Sequence, residues 1–264
     1  MLKVICLPAY NDNYIWVLHQ YSTDYCAFVN PRDDKVCIEY LRHSNAKLCA
    51  IFITHSHKNL SDCVKSLIAY CQLKNWPISV YYPEKEPIEG GTINVSEPDH
   101  ITIDLLGLAF DILDLPGHTL GHIAYFNHQM LFCGNTLFSG GCGRIISGTA
   151  TQLKASLDKI SSLSPKLKVY SGHEYTQENL KFACLIEPKN INLLKYREYI
   201  DYLRLQKQVT LPTTLARESL INPFLRCDRQ EIKAHLEMHF NTQFNSEIAL
   251  FIALNEYKNL FEHQ

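Results

Sequence analysis

Four short stretches each place a polar, metal-competent side chain directly after an apolar run. "FITHSH" carries His55 and His57, "LPGHTLGH" carries His118 and His122, "FCGNT" carries Asn135, and "YSGHEY" carries His173. Imidazole nitrogen suits Zn²⁺, and three imidazoles around one open position lower the pKa of a bound water to about 7. His55, His57 and His118 fit that need. Taken singly, each is more often a surface or hydrogen-bonded core histidine. An HxH pair closing an apolar strand, with further histidines closing later strands, reverses that reading toward a metal site. His122 opens the run "HIAYF" and reads as loop support by hydrogen bonding rather than as a ligand. His19, His43, His100, His128, His235, His239 and His263 have no such setting and read as solvated or structural.

Such residues converge only if their strands end on one sheet edge. The first two thirds of the chain alternate β-rich runs ("KVICLP", "YIWVLH", "CAFVN", "LCAIFITH", "ISVYYP", "HITIDLLG", "LAFDILDLPG", "HIAYF", "QMLFCGN", "LKVYSGH") with Gly, Pro, Asn or Asp at many of the joints. Helical periodicity interrupts at "LSDCVKSLIAYCQ" and "TQLKASLDKISSL". From Thr176, a candidate N-cap, the pattern turns helical almost throughout. Strands with interposed helices indicate layered α/β or α+β packing, and the expected division is a metal-binding, mostly β domain over 1–173 and a helical domain over 174–264.

Composition excludes several classes of function. The chain has 264 residues, 46% hydrophobic and 20% charged, with a net charge of −2, which gives no electrostatic case for nucleic acid or a membrane surface. A small-molecule partner is expected. No apolar run has signal-peptide or membrane-span length, so a cytoplasmic location is expected. Ten cysteines form no CxxC pair and are expected to be free thiols packed as small hydrophobes. No GxSxG elbow and no Cys–His motif points to a protein nucleophile.

The stretches "LPAYNDNYIWVL", "THSH", "LPGHTLGH", "GNTLFSGGCGR", "SGTA", "SGHEYTQENLKFA" and "LPTTLARESLINPFLR" resemble those of glyoxalase II, the hydroxyacylglutathione hydrolases of the metallo-β-lactamase superfamily. The resemblance implies an α+β fold, an αββα sandwich followed by a C-terminal helical domain that helps bind glutathione. It implies a monomer that hydrolyses S-D-lactoylglutathione to D-lactate and glutathione with a metal-bound hydroxide as nucleophile. His55, His57 and His118 would hold the first metal, Asn135 stands at the bridging position, and Asn59, Leu60 and His173 stand at the second. Arg144, Tyr175 and Lys258 match the substrate contacts.

The chain departs from that pattern where charge matters. THxHxDH is here "THSHKNL", GDT is "GNT", and the VDPG turn is "VNPR" with Asn30 and Arg32. Ile146 and Asn255 stand where the family often has tyrosine and arginine. A neutral amide oxygen is a much poorer Zn²⁺ ligand than a carboxylate. The expectation is one zinc ion at the three histidines, with Fe or Mn as substitutes, and a second position that is empty or weak. The alternative is a catalytically impaired relative that keeps the fold and binds only glutathione or a partner.

Overall fold

The computed structural model describes residues 1–56 and 60–262. The chain falls into two compact units, Met1–Asp114 with Gly121–Gly134, and Leu115–Leu120 with Asn135–Gln264.

The first unit opens with an antiparallel meander of β1 (Leu2–Ala9), β2 (Asn13–Gln20) and β3 (Tyr25–Val29). Helix α1 (Asp34–Ser44) follows; Asp33 caps it by accepting from the N–H groups of Lys35 and Val36. The chain re-enters the sheet as β4 (Lys47–Phe52), parallel to β3. Helix α2 (Leu60–Leu73) leads to β5 (Ser79–Pro83), and β6 (Ile93–Val95) closes the sheet, both parallel to their neighbours. Strand β4 reads as an unbroken apolar run because both its faces are covered. On one face lie Cys37 and Leu41 of α1 with Leu60, Val64 and Leu67 of α2, packed among Phe28, Ile51 and Val80.

The other face meets a second antiparallel run in the same unit, β7 (His100–Ile103), β8 (Leu108–Asp114), β9 (Ile123–Phe126) and β10 (Met130–Gly134). Phe52 packs against Phe110 at 5.6 Å and Tyr125 at 5.1 Å between ring centroids. The buried Tyr125 hydroxyl donates to the Ile53 carbonyl at 2.9 Å. Each fully buried aromatic of this kind contributes roughly 2–3 kcal/mol.

The second unit begins with a small hairpin, β11 (Leu137–Phe138) and β12 (Gly141–Cys142), turned at Gly140 with φ +71°. Helix α3 (Ala150–Ser161) starts on a capping box between Thr149 and Gln152. Strand β13 (Lys168–Ser171) leads to α4 (Thr176–Ile186) and α5 (Ile191–Leu205); β14 (Thr213–Thr214) then pairs with β13. Helices α6 (Leu215–Ile221), α7 (Gln230–Phe240) and α8 (Glu247–Glu262) complete the chain. Leu180, Leu193, Tyr196 and Ile200 share one core, and Phe182, Phe224 and Phe251 build a second, aromatic one.

Thr176 is the first helical residue rather than the cap. Its hydroxyl is engaged with that of Thr210 at 2.6 Å, and Tyr175 takes the cap position without capping the helix through its side chain. None of the ten cysteines is in a disulfide, and nine are buried. Burial pushes the thiols of Cys49, Cys63, Cys71 and Cys227 up to about 12. Among the described residues no helix is long and apolar enough to cross a membrane.

Candidate metal centre

In the first unit, the chain beyond β4 stays buried through Ile53, Thr54 and His55. Asn30 sits just after β3 in the left-handed region, φ 49°, which asparagine tolerates. Its Oδ1 accepts the Thr54 N–H at 2.9 Å, and its Nδ2 donates to Thr54 Oγ1 at 2.9 Å. That hydroxyl in turn meets His55 Nδ1 at 2.7 Å. The His55 ring is thereby oriented through its Nδ1, and it stacks on His122 with centroids 4.5 Å apart. His122 is buried and supports that ring from one face. Gly134, at φ +51°, closes the cluster: a Cβ there would lie 2.3 Å from Thr54 Oγ1 and 2.8 Å from His122 Nε2.

His57 and Asn59 lie outside the described residues. Leu60 opens α2 at 1% exposure and belongs to the apolar cluster with Val64 and Leu67. The position of a family ligand is thus a packing residue. Sequence reasoning did not single out Glu86, whose carboxylate accepts the Ser56 N–H at 2.6 Å and the Gly121 N–H at 2.8 Å. It ties the two histidine-bearing segments of this unit together, and nothing in "YPEKEPIEGG" distinguishes it from its acidic neighbours.

In the second unit, His118 is held at both ring nitrogens. Nδ1 lies 2.7 Å from the carbonyl oxygen of Arg144, and Nε2 lies 3.3 Å from Asn135 Nδ2. A carbonyl only accepts, so Nδ1 carries the proton and Nε2 carries the lone pair. Both the Arg144 and Asn135 contacts come from one hairpin loop, whose base is tight: a Cβ on Gly143 would lie 1.9 Å from the Asn135 carbonyl oxygen. His173 follows β13, 8% exposed, with its ring stacked on Tyr175 at 4.7 Å and Phe138 edge-on at 6.1 Å. The Arg144 side chain is exposed and Tyr175 is half-buried. Lys258 is 7% exposed, its ammonium 6.0 Å from the Phe224 ring centroid, and Asn255 is buried beside it on α8.

His55 and His118 each carry, within their own unit, the imidazole donor that zinc takes. His118 is fixed in the tautomer whose Nε2 can ligate, by the kind of backbone acceptor that orients metal-binding imidazoles. His55 meets the Thr54 hydroxyl through Nδ1, and that hydroxyl can donate or accept, so this contact orients the ring without choosing its tautomer. The second position does not fit, because Leu60 is committed to the core and Asn135 is neutral. Among the described residues no three His, Cys, Asp or Glu side chains form a group able to hold a metal.

A family model of the metallo-beta-lactamase superfamily matches residues 68–173, and one of the hydroxyacylglutathione hydrolase C-terminus matches residues 174–261. Hydroxyacylglutathione hydrolase of Shewanella baltica (strain OS223) is 41% identical over 266 residues, covering 99% of this chain and 100% of its own. That of Aliivibrio fischeri (strain ATCC 700601 / ES114) is 41% identical over 261 residues with the same coverage. Among solved structures, ETHE1 from Myxococcus xanthus superposes with a TM-score of 0.63 at 19% identity over 99% of each chain. BLEG-1 B3 metallo-beta-lactamase gives 0.61 at 22% identity over 85% of this chain and 99% of its own. The fold is accordingly the metallo-β-lactamase sandwich with a helical domain after it, as the sequence motifs implied.

Proposed function

This chain belongs to the hydroxyacylglutathione hydrolase family of the metallo-β-lactamase superfamily, and on that premise we propose that it hydrolyses S-D-lactoylglutathione around a single metal ion. The ion is zinc, held by His55, His57 and His118, with Asn135 as a weak further ligand. Asn59 and His173 are left at a second position too poor to retain an ion. The observation that carries this reading is the His118 ring, locked by the Arg144 carbonyl into its ligating tautomer.

A divalent ion so held supplies Lewis acidity toward the thioester carbonyl and lowers the pKa of water. The chain's own residues do the rest. Arg144, exposed on the loop after β12, receives a glutathione carboxylate, as guanidinium does with particular geometric fidelity. Tyr175, flat against His173, offers a hydroxyl and an apolar face to the peptide. Lys258 contributes charge from a buried stem. The border near residue 173 separates the metal-holding part of the chain from the helical part that adds Tyr175 and Lys258. The protein acts as a monomer in the cytoplasm, without nucleic acid or membrane as partner.

Metal analysis by mass spectrometry together with steady-state hydrolysis of S-D-lactoylglutathione tests the reading. About one zinc per chain is expected, and His118→Ala should lower kcat/KM by more than about 100-fold, beyond the usual effect of losing an outer-shell partner. Two tightly held ions would refute the single-metal site. A zinc-loaded wild type with no thioesterase activity would refute the hydrolase reading.

A further inference from the structure

Glu218 is a carboxylate with no exposure to solvent, and it lies outside every motif that names a ligand or a substrate contact. It stands on α6, and both its oxygens are fully used. Oε1 accepts the hydroxyls of Ser139 at 2.9 Å and Thr213 at 2.7 Å; Oε2 accepts the Gly140 N–H at 2.8 Å and Asn222 Nδ2 at 3.1 Å. Four donors on two oxygens match the capacity of an ionised carboxylate, which has no proton to donate. Among the described residues no cation forms an ion pair with it. Burial pushes its pKa up, and these donors pull it back part of the way.

All that bonding converges on one small target. Ser139 and Gly140 are the turn of the β11–β12 hairpin. Asn222 also donates to the carbonyls of Phe138 and Gly141, and Asn179 donates to that of Ser139. The ends of the same loop, Asn135 and Arg144, are the two groups that hold the nitrogens of His118. Between tip and base run the two pairs of the hairpin, Leu137 with Cys142 and Phe138 with Gly141, and the Gly143 N–H that donates to the Thr136 carbonyl at 3.2 Å. A lever this short transmits the position of its tip to its base.

We propose that Glu218 is a positioning residue for His118: by clamping the hairpin turn it keeps the Arg144 carbonyl on Nδ1, and so fixes the tautomer and ring orientation of a metal ligand. The inference rests on the reading of His118 as a ligand. Buried polar networks of this kind specify geometry when every member is satisfied, and lose it when one is not.

The test reads the His118 ring directly, in metal-free protein labelled with ¹⁵N-histidine. Its two ring nitrogens are assigned by their loss in His118→Gln and followed by long-range proton–nitrogen correlation. Wild type should show one protonated and one bare nitrogen. Glu218→Gln should preserve that pattern, because its carbonyl still accepts from Gly140 and Asn222 while the Ser139 and Thr213 hydroxyls turn to accept from the amide. Glu218→Asp, one methylene short, should move both nitrogens toward the average of the two tautomers. It should also weaken Zn²⁺ binding, titrated against a chelator, by about tenfold or more. Should that variant not fold, Ser139→Ala decides, with a smaller shift in the same direction. Unchanged nitrogen shifts in the folded Asp variant, or in Ser139→Ala if that variant must decide, overturn the proposal; so does scrambling in the Gln variant. Failure of the wild type to bind zinc sinks the metal reading alone, since the nitrogen shifts are read without metal.

Discussion

His55 and His118, one in each compact unit, are oriented by different chemistry. His118 Nδ1 faces a backbone carbonyl, which has no proton to offer, so its tautomer is decided by the acceptor. His55 Nδ1 faces the Thr54 hydroxyl, which can donate or accept. That hydroxyl also meets both ends of the Asn30 amide, Nδ2 at 2.9 Å and Oδ1 at 3.2 Å. When Thr54 donates to Asn30 Oδ1, His55 keeps its proton on Nδ1 and Nε2 can ligate. When it donates to His55, the ligating nitrogen carries the proton instead. A carboxylate at position 30 would only accept and would settle the choice. The chain's departures from the family pattern thus loosen the His55 side, while at His118 they leave the Arg144 carbonyl on Nδ1 and place the neutral Asn135 amide at Nε2.

The comparison breaks most sharply at Gly143. A methyl group there would press on the Asn135 carbonyl at 1.9 Å, an approach against backbone that only a shift of the hairpin base relieves. Gly143→Ala should cost about 3 kcal/mol of stability, in the upper range for overpacking. It should weaken zinc binding by about 100-fold as the Arg144 carbonyl leaves His118. Gly107→Ala is the matched control: its φ of +60° is strained for alanine, but nothing lies within 4 Å, so about 1 kcal/mol is lost and zinc affinity stays put. Denaturant titration and chelator competition read both. Equal zinc affinity in the two variants would mean that the hairpin base does not hold the ligand.

The His55 side should respond in the opposite sense. Asn30→Asp replaces a donor by an acceptor, so the Thr54 hydroxyl donates to the new carboxylate and accepts from His55 Nδ1. Zinc should then bind severalfold tighter, approaching the tenfold that outer-shell partners commonly supply. The His118 nitrogens should not move. Weaker binding, or a change confined to His118, would show that Asn30 does not govern the His55 tautomer.

Much of this arrangement was legible in the sequence, because histidines that close apolar runs are set by strand periodicity and need no tertiary information. The stretch "GNTLFSGGCGR" stood out through its family resemblance, and the structure shows it to be a hairpin. What escaped was set by partners distant in sequence. The residues 34–44 form α1 although Val36, Cys37 and Ile38 crowd together in sequence; the Asp33 cap and the sheet beneath decide it. Helix α6 has seven residues, too few for a period to show. Glu218 within it belongs to the stretch "LPTTLARESLINPFLR" without a role that sequence assigns, and its partner is the turn 78 positions upstream. Leu60, at a family ligand position, also opens the apolar helical face that "LSDCVKSLIAYCQ" shows in sequence, and the structure places it in the core with Val64 and Leu67.

The smallest effect concerns a region that the centre does not use. His235 on α7 is held below its ordinary pKa by burial first and by His239 second, and its ring stacks on Tyr257 at 6.0 Å. The folded form therefore binds this proton less readily than the unfolded chain does. Stability from this group is present above pH 6.5 and is lost as the pH falls through the lower folded value, where the unfolded chain is already protonated. His235→Gln should remove that dependence, flattening the stability profile between about pH 7 and 5 by a few tenths of a kcal/mol, since the ring is partly solvated. Zinc affinity and the His118 nitrogens should be indifferent to it. A variant whose pH profile matched the wild type would show that His235 does not carry this dependence.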